Sequence, residues 1–281
     1  MKPGALLAYG LASGLLAAAP SALAPQGGGT PAASAQSIAP IDLTGYWVSI
    51  VNEDWRWRMV TPPKGDYASV PISPEGRAVA DKWTPDLDGR CEAYGAAGLM
   101  RMPTRVHITW QDENTLKVET DAGSQTRLFH FVPAGSGPLP SDASGSDRSL
   151  QGWSVATWEF AGGRGAPGRG GAAGDGRGGG RGNGGRVGDR SGPPPPRFGS
   201  LKVVTTRLRE GWLRRNGVPY SERTTLTEYY DRFRSTNGDE WFFVTTVVDD
   251  PKYLAQEFVT STHFKKEPDG SKWHPTTCRA S

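Results

Sequence analysis

Four histidines are the residues of this 281-residue chain best suited by type to move protons or hold a metal: His107, His130, His263 and His274. Their spacing includes no H-x-H and no H-E-x-x-H. A metal centre would need ligands gathered from distant segments, and none is expected. The run PDLDGR at 85–90 lacks the later acidic ligand of a calcium loop. No G-x-S-x-G, phosphate loop or dinucleotide fingerprint occurs, so no cofactor is implied and no catalytic residue is assigned. Glu159 and Glu228 each lie in an apolar run that reads as strand. Turned into a barrel, either carboxyl would be desolvated and its pKa raised toward the range useful in acid–base catalysis. With His130 such a carboxyl would make an isomerase or hydrolase. Turned outward, it is an ordinary ion-pair partner.

The chain's ten tryptophans offer a different chemistry. The run DLTGYWVSIVNEDWRWRMV at 42–60 carries Tyr46, Trp47, Trp55 and Trp57, with Arg56 and Arg58 threaded between the last two. Read as a strand, the alternation sends both tryptophans to one face and both arginines to the other. Indoles facing inward make a wall for a flat apolar ligand; against a neighbouring layer they are core. A lumen carrying Trp57, Trp110, His130, Trp158, Tyr229 and Glu228 would take a small hydrophobic or aromatic molecule.

The elements that must position these groups are mostly strands. In RVHITWQDENTLKVETDAGSQTRLFHF at 105–131, a three-residue loop at Asp112-Glu113-Asn114 sets Trp110 against Leu116 and Ile108 against Val118. The same register pairs His107 with Glu119 and Arg105 with Asp121, so apolar and charged faces agree. A second three-residue loop, Asp121-Ala122-Gly123, would put Leu116 opposite Leu128 and His130 on the apolar face. GWSVATWEF and GSLKVVTTRL read as two strands of one hairpin. TTLTEYYDRF and EWFFVTTVV join through Asn237-Gly238, a strong hairpin signal, and AQEFVTSTHF closes the series. SPEGRAVADKW, with Ser73 as cap and Pro74 in the first turn, is the one clear helix. About nine short strands predict a single all-β domain over 36–281, an antiparallel barrel with one or two short helices, with a β-sandwich as the alternative.

The first residues, MKPGALLAYGLASGLLAAAPSALA, pair one cation with a short apolar stretch, the pattern of an export signal. The stretch is too short and too rich in Ala and Gly for a membrane span. Cleavage after Ala35, leaving Gln36 first, is favoured over cleavage after Ala24, which Pro25 would hinder. The chain is therefore expected to be periplasmic or secreted. In an oxidising compartment the two cysteines, Cys91 and Cys278, are read as a disulfide, with two free thiols as the alternative. The net charge of +3 hides a division: residues 161–197 hold seven Arg and two Asp, and without them and Lys2 the remainder is net −3. That Gly/Arg/Pro-rich segment has almost no apolar side chains and is read as a disordered insertion at a hairpin tip. It lacks the interleaved aromatics of RNA-binding tracts, so no nucleic-acid partner is expected. Contact with an anionic envelope surface is its alternative role.

Gly45-Tyr46-Trp47 resembles the G-x-W motif of lipocalins and related calycin barrels. That resemblance implies a barrel closed at one end by Trp47, with a late basic residue packed across it. It also implies that a Cys91–Cys278 bond ties the C-terminal segment back to the barrel. DLTGYW, SVATWE, LKVVTT, LTEYYDRF and VVDDPKYLAQEF are together similar to a group of uncharacterised exported bacterial proteins that run from a D-L-[ST]-G-x-W start to a late cysteine. This similarity implies a β-rich exported fold and no particular activity.

Overall fold

The structure is a computed structural model that describes residues 33–132, 148–160 and 198–278. Among these, nine strands close into a barrel: β1 (Gly45–Ile50), β2 (Arg105–Asp112), β3 (Thr115–Thr120), β4 (Thr126–Phe131), β5 (Trp153–Phe160), β6 (Gly199–Thr206), β9 (Thr225–Arg234), β10 (Glu240–Asp249) and β11 (Phe258–Glu267). A separate hairpin, β7 (Gly211–Arg214) with β8 (Val218–Tyr220), leaves the barrel between β6 and β9. The expected closed barrel is therefore present, and the sandwich is not. An odd number of strands cannot alternate direction all the way round. The unavoidable like-direction pair is β4 with β5, joined over only three residue pairs, Phe129↔Ser154 to Phe131↔Ala156.

Period-two alternation fixes what faces inward. Along β10, Phe242, Val244 and Val248 are buried inside, while Trp241 and Phe243 face out. Inward residues form two apolar clusters. One surrounds Trp47, Ile108, Leu116, Phe129, Tyr230 and Phe242. The other, around Leu226, Val248 and Phe258, continues into a cap made by β7, β8 and two short helices, α2 (Pro74–Ala80) and α3 (Ala96–Leu99). The helix expected from Ser73 and Pro74 forms, and the Ser73 hydroxyl accepts from the Gly76 N–H at 3.0 Å. Asp250 holds the cap to the barrel: its carboxylate accepts from Ser221, Thr224, Lys252 and Tyr253.

Between the clusters lies a polar belt. Arg127, Ser154, Thr205, Glu228, Thr246 and Thr262 all point inward and are buried. Arg127 and Glu228 meet at 3.0 and 2.6 Å through both pairs of atoms, and neither side chain is exposed at all. The Tyr230 hydroxyl donates to Glu228 at 3.3 Å, and Arg127 also reaches Thr205 at 3.2 Å. Burial and then the Glu228 charge push the Tyr230 hydroxyl far above its ordinary pKa. Burial works against the Arg127 guanidinium, but the carboxylate beside it prevails, and Arg127 is held charged.

The other barrel end is covered by residues 33–44. Ile38, Ala39 and Ile41 pack against the first cluster. Ala35 is buried; its N–H donates to Asn114 Oδ1 and its carbonyl accepts from the Trp158 indole, both at 2.9 Å. The expected export signal, 1–35, lies outside the described residues except for its last three. Cleavage after Ala35 would remove these bonds, whereas cleavage after Ala24 would keep them. A chain beginning at Gln36 is expected to be about 1–3 kcal/mol less stable than one beginning at Pro25, because the buried indole N–H loses its acceptor. Urea midpoints of the two proteins, followed by tryptophan fluorescence, would check this.

Cys91 and Cys278 form a disulfide, with Cα atoms 5.1 Å apart. It joins the turn before α3 to a C-terminal segment that passes Tyr46 and His107 through Trp273. That segment reaches the β3–β4 loop, where the Thr276 N–H donates to the Asp121 carbonyl at 2.8 Å.

Candidate functional site

The six residues expected around one lumen do not come together. Trp158 and Glu228 do face inward and are buried. Trp110 lies at the covered mouth, its ring centroid 5.6 Å from Phe131 and 6.5 Å from Trp158. Tyr229 faces outward, because its neighbour Glu228 faces in; its ring carries Lys202 at 5.5 Å. His130 is also outward, stacked on Trp153 with centroids 4.1 Å apart. Burial lowers its pKa, and the charge of Asp112 offsets this only in part. Trp57 is not in a strand. WRWR folds as a one-turn helix, α1 (Trp55–Arg58), outside the barrel, with Trp57 Nε1 donating to Asp66 at 3.1 Å and Trp55 largely exposed.

The His130 correction has one cause. The β3–β4 turn is four residues, Asp121 to Ser124, rather than three, with left-handed Gly123 and Ser124. Leu116 therefore faces Phe129, not Leu128. A one-residue slip exchanges every side chain between faces. Asp121 holds the longer turn: its carboxylate accepts from the Thr104 hydroxyl and from the N–H groups of Arg105 and Ala122. A Cβ on Gly123 would come within 2.3 Å of the Tyr94 ring. His130 and Glu228 thus stand on opposite faces of the wall, and Glu159 is exposed on β5. The acid–base pairing of His130 with Glu228 therefore has no geometric basis, and Glu159 lies four residues along β5 from Val155, the residue paired with His130.

Among the described residues, one concavity with room for a guest lies on the outer wall. A groove of about 320 Å³ crosses β9, β10, β11 and the end of β1, lined by Ile50, Phe233, Trp241 and His263, with Asn52, Ser235, Asn237 and Asp239 at its edge. The local sequence explains it. Gly238, at φ 89°, turns the β9–β10 hairpin and sets Phe233 directly opposite Trp241. Both rings face out, centroids 6.4 Å apart and planes 8° from parallel. Phe243 extends the apolar strip, 6.1 Å from Phe233 and 6.1 Å from His263. Lys265 lies 5.7 Å from the Trp241 ring and pairs with Asp239 at 2.7 Å, which holds that carboxyl below its usual pKa. His263 Nδ1 lies 2.6 Å from Glu53. Such a surface offers flat apolar area bordered by donors and acceptors, which is the means of holding a planar ring with a polar rim. The sequence carried a signal for it: Phe233, Trp241 and Phe243 share one parity across an Asn-Gly turn.

Two further features bear on class. Trp47 is fully enclosed near the covered end, and Lys266, its cross-strand partner, sits 5.1 Å over its ring. Among the described residues, no helix is long and apolar enough to cross a membrane. Comparison with protein-family models, with curated proteins and with solved structures finds no match for this chain. The Gly/Arg-rich segment 161–197 lies outside the described residues; on either side of it, Phe160 of β5 and Gly199 of β6 pair antiparallel.

Proposed function

We propose that this chain is an exported binding protein that holds a small flat molecule, apolar on its faces and hydroxylated at its edge, in the outer groove. The observation that carries this is the outward Phe233–Trp241 platform beside Asn52, Ser235, Asn237 and Asp239. The inward side chains of the barrel are buried against one another, which favours the outer wall over the lumen for the expected aromatic ligand. The disulfide and the apolar N-terminal stretch support export to an oxidising compartment. Lys266 over Trp47 supports the calycin resemblance, since it supplies the late basic residue.

Phenols and sugar rings share this chemistry, and two ligand panels separate them. Intrinsic tryptophan fluorescence is expected to report saturable binding from one panel. Trp241→Ala and Phe233→Ala should each weaken affinity about tenfold or more, in line with losing one stacked ring at a contact centre. A response that survives Trp241→Ala but disappears with Trp158→Phe would return the ligand to the barrel mouth. Silence from both panels would reject the binding role.

A further inference from the structure

Outside the barrel, where α1, α3 and β7 meet, a small cavity of about 20 Å³ is lined by Trp57, Arg58, Arg101, Met102, Leu213 and Arg214, among others. Four of the lining side chains are arginines, Arg215 among them, and Arg58, Arg101 and Arg214 are each more than nine-tenths buried. Arginine is almost never enclosed unless its charge and its N–H groups are matched.

Here the matching is incomplete. Arg58 Nε donates to the Arg101 carbonyl at 2.8 Å, and Arg58 Nη1 pairs with Glu53 at 3.0 Å. Arg101 pairs with Asp54 at 2.8 Å, and Arg214 Nη2 donates to the Ser69 hydroxyl at 2.7 Å. On Arg58, Arg101 and Arg214, three enclosed N–H groups, Arg58 Nη2 and Arg214 Nε and Nη1, have no acceptor. Glu53 and Asp54 lie at the partly exposed edge. The third nearby carboxylate, Asp66, already pairs with Arg56 and accepts from the Trp57 indole. Positive charge is therefore in excess at the cavity wall. Burial and the charge of Arg101 lower the pKa of both Arg58 and Arg214 to about 10.

An enclosed donor without an acceptor keeps the full penalty of leaving water, and the penalty is larger when the group is charged. Three such donors on side chains that line one small cavity fit an acceptor carrying negative charge. We propose that this cavity is a carboxylate site, taking the head group of a small monocarboxylic acid. Arg58 Nη2 and the free Arg214 N–H groups donate to its oxygens. A planar carboxylate needs less room in so small a cavity than tetrahedral phosphate or sulfate does. The site is separate from the outer groove, although Glu53 reaches a residue of each: one oxygen faces Arg58 and the other His263. Failure of either proposal leaves the other standing.

The test is a titration of the folded protein with sodium acetate at constant ionic strength set by sodium chloride, followed by melting temperature and tryptophan fluorescence. A saturable rise in melting temperature is expected with acetate, and a much smaller one with phosphate. Arg58→Gln and Arg214→Gln should each weaken the acetate affinity about tenfold or more, while circular dichroism and the ligand-free melting temperature report whether they fold. Trp57→Phe should keep the thermal response and lose part of the fluorescence change. Because Arg214→Met removes a buried charge, its ligand-free melting temperature should fall little, yet its acetate response should vanish. An equal response to acetate, phosphate and added chloride, or an unchanged response in both glutamine variants, overturns the proposal.

Discussion

Arg127→Ala is expected to lower stability by about 3–5 kcal/mol, the range for breaking one side of a buried ion pair. The loss is not the worth of the Arg127–Glu228 attraction. It arises because Glu228, with no exposed side-chain surface, is left inside the barrel with only Tyr230 as a close donor. Replacing both members by apolar residues of similar volume, Arg127→Met with Glu228→Leu, should recover most of the loss, since desolvation of both charges is then avoided. Urea unfolding of the two single variants and the double variant checks this as a double-mutant cycle. A single Arg127→Ala loss below 1 kcal/mol would show that the belt is wetter than its burial indicates.

Removing the disulfide is the second large effect. Cys91 and Cys278 are separated by 187 residues. The chain-entropy model assigns a loop of that size about 5 kcal/mol of stabilisation, with measured values for native bridges at about 2–5. Cys91→Ser with Cys278→Ser should therefore fall in that range. The change should unfold first the C-terminal segment, whose Thr276 contacts brace the β3–β4 turn. Amide exchange at 121–125 and 273–278, compared with β9 and β10, would show whether the loss is local or global. Equal acceleration everywhere would assign the bridge to the whole barrel rather than to its tail.

What could be read from the residues alone depended on redundancy. The β2–β3 register was legible because Trp110–Leu116, Ile108–Val118 and His107–Glu119 all require the same pairing, and the structure has it. The β9–β10 hairpin was legible from Asn237-Gly238, and the number of strands pointed to a barrel with a sandwich as the alternative. The β4 face was not legible. Its turn length is set by Asp121 reaching Thr104 and Arg105, a contact across sequence that local propensity does not encode. One extra residue there reversed His130 and dissolved the acid–base pairing. WRWR misled for another reason: four residues form a single turn, too short to show a 3.6-residue period, and two-residue alternation fits by default. For Tyr229 and Glu228, adjacency in a strand already forbids a shared face, so their joint placement in a lumen was avoidable. The outer platform went unseen because outward aromatics and inward ones look alike until a register is fixed.

The like-direction junction between β4 and β5 gives the ring a clasp. Only three residue pairs fasten it along the backbone, so the guanidinium of Arg127, reaching from β4 past β5 to Thr205 and Glu228, acts as a bolt thrown across it from inside. A cylinder latched in this way has a preferred place to part, and across the ring from it stands the broad β9–β10–β11 panel that carries the aromatic groove. Opening at the latch would leave that panel's own pairing intact.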